Sequence, residues 1–321
     1  MGLLTILSDL LHNTIVFSTA LIFAALGGLF SERSGVVNIA LEGLMIVGAF
    51  TSAVVTYFAD IYLNGSSWAP WIGFITAAIV GILFSLLHAA ASVTFKADQV
   101  VSGVALNFLA AGATVYLVKI IFDGAGQTKT LHNVFSKYAI PYLSDIPYLG
   151  KAIFTAYPSS YVAFIVVGLA YYILFKTPFG LQLRSVGEHP RAADTMGINV
   201  YKMRYYGVMI SGALAALGGA TIALTTTSNF SHNTISGQGF IALAALIFGK
   251  WHPVGVMGAA LFFGVAQALN SLVQVLGFTK YIPVDFIFML PYILTILVLA
   301  GVVGKAVGPK SAGKAYETGS R

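Results

Sequence analysis

Apolar residues run along this chain in long unbroken blocks, without the polar/apolar alternation of a half-buried strand. At a rise of 1.5 Å, about 20 residues cross a ~30 Å hydrocarbon core. That ruler picks out nine segments: 12–30, 36–57, 70–93, 100–122, 159–176, 205–227, 237–250, 254–276 and 282–303. The seventh, GQGFIALAALIFGK, is too short for a comfortable span and reads as a half-helix or tilted piece. A membrane barrel needs alternating segments of about ten residues, roughly half the length seen here. The pattern predicts an all-α polytopic membrane protein of about eight to ten transmembrane segments, with one transmembrane domain over 1–303.

Composition sharpens this: 58% hydrophobic and 9% charged residues exclude an ordinary soluble chain. The formal charge of +6 comes from 17 Lys and Arg against 11 Asp and Glu, spread through short loops and a tail. No basic stripe forms, so nucleic acid is not an expected partner and the excess reads as orientation charge. Arg33, Lys96, the loop 177–204, Lys250 and the C-terminal tail fall together on the cytoplasmic side if all nine segments cross. The N-terminus and the loop 123–158 then lie outside, with Lys129, Lys137 and Lys151 in dissent. The first segment lacks the flanks of a cleaved signal peptide. The Gly-, Lys- and Ser-rich tail 304–321 reads as disordered and cytoplasmic. Zero cysteines exclude disulfides, thiolate metal sites and a Cys nucleophile.

An internal repeat is visible. AALGG occurs at 24–28 and again at 215–219, and SGVVNIALEGL at 34–44 matches SGQGFIALAAL at 236–246 at six of eleven positions. With the orientation above, the first AALGG segment runs inward and the second outward, so the halves 12–122 and 159–303 form an inverted pair. In transporters such pairs place a site at the repeat interface.

Few residues carry chemistry. In 177–204, Pro190 opens and Gly197 stops a short surface helix, which suits either a docking knob or a solvated connection. A carboxylate inside the bilayer costs about 2.5 to 3.5 kcal/mol on insertion scales, so Glu42 must face protein or water. Either it marks a site, with Asn38 one turn earlier, or it bonds Arg33 or backbone amides at a helix end. Gln267, Asn270, Ser271 and Gln274 share one stripe of the eighth segment, and Asn107 with Ser102 marks the fourth; such residues line a wet path or glue helices together. The polar run 225–239 suits a vestibule, an unwound link or a loop. GAGQTKT at 124–130 lacks the glycine that a phosphate loop needs before Lys129, no metal-ligand His spacing exists, and no Gly-x-Ser-x-Gly elbow is present. GKWHPVG at 249–255 is a turn, with Pro253 opening the next helix.

Four strings, SERSGVVNIALEGLMIVGAF, DQVVSGVALNFLAAG, VGEHPRAADTMGINV and GFIALAALIFGKWHPVGVMGAALFFG, resemble in this order the bacterial ABC-importer permeases of the branched-chain amino acid and simple sugar superfamily, above all the nucleoside importers. The resemblance spans roughly 15–300. It implies a non-enzymatic transport subunit in the bacterial cell membrane that moves an uncharged nucleoside inward by alternating access. Its implied partners are a second homologous permease, two ABC ATPase subunits holding ATP and Mg, and an extracellular substrate-binding lipoprotein. The chain itself would bind no cofactor or metal. The loop takes the ATPase-coupling role, through Glu188, Pro190, Arg191, Ala192, Ala193, Asp194 and Gly197. Asn38, Glu42, Asn107, Gln267, Asn270 and Gln274 are the candidate substrate pathway. Ile-Ala-Leu-Glu stands where sugar permeases carry Asp-Leu-Ser, which favours nucleosides over sugars or branched-chain amino acids. The competing class is an ion-coupled secondary transporter using Glu42 or Asp285; a membrane-embedded enzyme lacks any catalytic constellation.

Overall fold

A computed structural model describes residues 3–147, 149–275, 286, 289, 293, 296 and 307–317. Its helices are α1 (Leu3–Arg33), α2 (Leu41–Tyr62), α3 (Ala69–Ala89), α4 (Gln99–Ile121), α5 (Leu149–Ile153), α6 (Pro158–Lys176), α7 (Pro178–Glu188), α8 (Pro190–Thr195), α9 (Val200–Ile222), α10 (Gln238–Phe248) and α11 (Pro253–Val275). A two-residue hairpin pairs β1 (Tyr138–Ala139) with β2 (Thr155–Ala156), and π-helical turns extend α3 through Ala90–Thr94 and α9 through Ala223–Thr227. Among the described residues, seven helices are long and apolar enough to cross a membrane, and α10 is the short apolar piece expected at 237–250. Of the ninth candidate, 282–303, only 286, 289, 293 and 296 are among the described residues, and Asp285 lies outside them.

Polar caps and prolines set several of these boundaries. Asp98 accepts from the amides of Val100 and Val101 to start α4, and Asn199 accepts from Lys202 to start α9. Proline stands in the first turn of α3, α6, α7 and α8, where its missing N–H leaves nothing unpaired.

The core is built on α1 and α9, which carry the two AALGG copies. A Cβ placed on Gly27 would lie 2.8 Å from the Ser211 carbonyl oxygen and 3.3 Å from the Ala215 nitrogen. One placed on Gly218 would lie 2.7 Å from the Ala20 carbonyl oxygen and 3.4 Å from the Ala24 nitrogen. The pairs 27/218, 20/211 and 24/215 share one register offset, so each contact is the image of the other. Only antiparallel helices related by a local twofold axis can do this. The inverted repeat is thus a structural fact, written in the residues that allow closest backbone approach. Gly35 and Gly237, equivalent in the second matching pair of strings, are both left-handed, with φ of +90° and +79°.

Arg33, Lys250, α7, α8, Lys96 and residues 307–317 meet at one end of the bundle. The loop 123–158 packs at the other, where Thr128 and Leu131 amides donate to the Phe230 and Ser228 carbonyls, and α1 begins there beside α5 and β2. The charge-sorted grouping therefore matches one physical end. The tail expectation needs correction: residues 307–317 are folded against α7, α8 and α9 and are not disordered.

Candidate functional site

Residues 34–40 link α1 to α2 as irregular backbone running back into the bundle. Within a membrane protein every such peptide group needs an internal partner. The Val37 amide donates to Gln99 Oε1 at 2.7 Å, and the Val37 carbonyl lies 3.1 Å from His88 Nε2. His88 Nδ1 is 3.0 Å from the Ser102 hydroxyl, which sets that ring. Asn38, fully buried, donates to Ser211 Oγ at 2.8 Å and accepts from the Ala40 amide at 3.0 Å. Asn107 donates to the Ile39 carbonyl at 3.0 Å and accepts from the Gly43 amide at 2.7 Å. Asn38 and Asn107 thus act as side-chain substitutes for missing helical bonds. Replacing Asn107 with leucine leaves a donor and an acceptor unpaired, and is expected to lower stability by about 2 kcal/mol or more. Thermal unfolding of the purified protein in detergent checks this.

Where that stretch ends, two helix N-termini meet. α10 starts head-on against α2: a Cβ on Gly239 would collide with the Glu42 backbone. Both ends carry N–H groups that have no acceptor within their own helix, and the positive pole of a helix dipole, so they repel. Glu42 lies between them and accepts from the amides of Gly237 and Gly239, each at 2.6 Å. Its side chain is buried at the level of the middle of α9, whose Ala216 and Gly219 pack against Gly48 and Met45 of α2. Of the two roles open to Glu42, the geometry supplies the amide-capping one, and Arg33 is engaged elsewhere. The polar run 225–239 is the descending link that delivers α10 to this point, after the αL residue Ser228 closes the π-helical turn.

Gln267, Asn270 and Gln274 do not join this cluster. They stand on α11, which packs on α1, α10 and α6, with Gln274 exposed, Gln267 half-buried, and the buried Asn270 Oδ1 unpartnered among the described residues. The six pathway candidates therefore form two groups and not one lining.

A second cluster, absent from the sequence reading, sits at the α7–α8 end. Lys250 and Trp251 are consecutive left-handed residues, φ +53° and +51°, a conformation costing about 1–2 kcal/mol for each side chain. The Arg33 guanidinium donates twice to the Trp251 carbonyl, at 3.0 and 2.7 Å, and the Trp251 indole N–H donates to Glu32 at 2.6 Å. Arg33 also lies 3.9 Å from Glu188 at the end of α7. α10 is thus held at both ends, by Glu42 at one and by Glu32 and Arg33 at the other. A carboxylate and a guanidinium at the end of an apolar segment, followed later by a lone tryptophan in a tight turn, were the available signal.

α8 forms at Pro190–Thr195 and stops on left-handed Gly197, φ +81°. Arg191, Ala192 and Gly197 are exposed, Pro190 and Glu188 border the adjoining cleft, and Ala193 turns inward against Val186, Val200 and Tyr316. Among the described residues, no group of three or more His, Asp or Glu is placed to hold a metal.

The family profile described as branched-chain amino acid transport system / permease component matches residues 10–300. The guanosine ABC transporter permease protein NupQ of Bacillus subtilis is 56% identical over the full length of both chains. The nucleoside ABC transporter permease protein NupC of Lactococcus lactis is 45% identical over 98% of this chain and 99% of its own. A second Bacillus subtilis guanosine permease, NupP, is 29% identical over 82% of this chain and 74% of its own. A profile match across nearly the whole transmembrane domain, with two full-length relatives, is decisive: this multi-pass membrane chain belongs to the ABC-transporter permease family of the branched-chain amino acid type.

Proposed function

We propose that the chain is the permease subunit of an ATP-driven importer that carries uncharged nucleosides inward. The observation that carries this reading is that the two relatives matching it end to end, at 56% and 45% identity, both bear nucleoside-permease names. The α7–α8 end faces the cytoplasm in this reading, and residues 188–197 contact an ATPase that holds ATP and Mg. The positive charge gathered at that end supports the orientation. A second, different permease completes the pair; the resemblance of both NupQ and NupP to this chain supports a heterodimer. An external binding lipoprotein delivers the substrate.

Asn38, Glu42 and Asn107 hold the wall of the pathway, because their polar atoms are engaged with backbone and Ser211. The Gln267, Asn270 and Gln274 stripe is the better lining, since amide side chains donate to and accept from ribose hydroxyls and base edges alike. An ion-coupled mechanism loses Glu42 as its carrier group, with both carboxylate oxygens bonded to amides.

Uptake of labelled guanosine, adenosine and uridine against ribose and leucine tests the substrate, in cells lacking or regaining this chain. Nucleoside uptake that depends on a co-expressed ATPase supports the reading; restored ribose or leucine uptake alone overturns the substrate. Ala192→Asp, at the exposed crest of α8, is expected to leave membrane insertion intact and to cut substrate-stimulated ATP hydrolysis about tenfold or more, the scale of one misplaced charge at an interface. Wild-type stimulated hydrolysis in the reconstituted variant would remove the coupling role from α8.

A further inference from the structure

Residues 307–317 cross the α7–α8 end as a strap. Gly308 packs on the Trp251 indole, and the Ser311 amide donates to the Gly187 carbonyl at 3.0 Å, while its hydroxyl donates to the Val186 carbonyl at 3.1 Å. Arg204, only 1% exposed, donates to the Lys314 carbonyl at 2.9 Å. The Tyr201 hydroxyl donates to the Tyr316 carbonyl at 3.3 Å, and the two rings stand edge to face, 5.9 Å apart. Lys96, in the turn between α3 and α4, pairs with Glu317 at 2.7 Å.

The strap reaches α8 itself. A helix of six residues has no independent stability, so its orientation is set by what it rests on. Here that is a small apolar cluster of Val186 from α7, Ala193 from α8 itself, Val200 from α9 and the Tyr316 ring from the strap. The Tyr316 hydroxyl then donates to Asp194 Oδ2 at 2.7 Å, fixing the far end of α8. Its pKa is pushed up to about 12 by burial and by that carboxylate, so it stays a donor through the physiological range. Between α8 and the strap opens a cleft of about 710 Å³, with Pro190, Arg191 and Ala192 on one side and Lys310, Lys314 and Ala315 on the other. Its basic side chains outnumber Glu188 and Glu317, which suits a carboxylate-bearing protein element.

We propose that residues 307–317 and α8 form one composite docking surface for an acidic element of the ATPase, with Tyr316 as the positioning residue that sets the angle of α8. The proposal rests on the coupling reading of 188–197 given above. The cysteine-free chain permits a direct test with single cysteines at Ala192 on α8, Ala315 on the strap and Tyr62 at the opposite end. Assembly with the ATPase is expected to slow maleimide labelling of both Ala192→Cys and Ala315→Cys about tenfold or more, and to leave Tyr62→Cys unchanged. Protection at Ala192→Cys alone overturns the composite surface and leaves the coupling reading standing; protection at neither overturns both. Tyr316→Phe keeps the ring in the cluster and removes one hydroxyl. It is expected to lower transport per ATP hydrolysed about tenfold, the effect of losing one hydrogen bond to a charged group, without lowering the permease Tm by more than a few degrees. Asp194→Asn, which still accepts from Tyr316, is expected to retain most of the coupling. Wild-type coupling in Tyr316→Phe overturns the positioning role.

Discussion

Glu42→Leu is expected to destabilise the protein by at least about 4 kcal/mol and to abolish transport with it, because the N-terminus of α10, which meets that of α2, loses the acceptor of its Gly237 and Gly239 amides. Each lost bond is charge-assisted, worth about 1.5–3 kcal/mol, and its loss leaves a backbone donor unpaired beside a buried side chain. The repulsion of two like dipole ends adds to the loss. Glu42→Gln is the informative companion: one carbonyl oxygen still accepts, while the amide N–H2 is turned against a backbone donor, so an intermediate loss of about 2 kcal/mol is expected. Detergent thermal unfolding and size-exclusion profiles measure both. A Glu42→Gln protein with wild-type Tm but a raised KM for nucleoside would instead place substrate on this carboxylate.

Gly219→Val should prevent folding outright. A Cβ at Gly219 would overlap the Met45 carbonyl, and one at Gly48 would overlap the carbonyl of Ala216, so α2 and α9 touch backbone to backbone. Neither obstacle is a side chain that can swing away, and the helices must separate, a loss above the ~1–3 kcal/mol typical of overpacking. Gly112, exposed on α4 with nothing near its missing Cβ, supplies the contrast. Gly112→Ala is expected to be neutral or to stabilise by about 0.5–1 kcal/mol, since it removes only unfolded-state freedom. Yield of monodisperse protein separates the two variants, and equal behaviour would refute the packing argument.

Sequence legibility followed the range of the interactions. Helix lengths, the short α10, the Pro253 start, the short α8 with its Gly197 stop and the inverted repeat all rest on local pattern or self-similarity, and all could be read from the chain. Glu42 was recognised as a carboxylate needing a partner, yet its partners are amides of Gly237 and Gly239, and backbone donors leave no mark in composition. The strap failed to show for the same reason. Lys314 and Tyr316 are held partly through their carbonyls, which any Gly-, Lys- and Ser-rich tail also possesses. Arg204 counted in the sequence as one more orientation charge, whereas the fold seals it beneath that tail. Polarity is what marks the pathway residues in the sequence, and polarity does not separate a bridge between helices from a wall facing water.

The reciprocal seam between α1 and α9 also constrains how the protein is made. α1 emerges from the ribosome ahead of α9, bearing Thr14, Ser18, Thr19, Ser31 and Glu32, all of them covered in the finished fold. Its mate follows about 190 residues later, a wait of roughly ten to forty seconds at ordinary elongation rates. Through that interval the first helix has no native seam to close, and its polar side chains must be sheltered by the insertion machinery or by provisional neighbours. Maturation of this protein is therefore a late event set by the synthesis of α9, and nascent chains cut short before Ser211 should be the ones that membrane proteases remove.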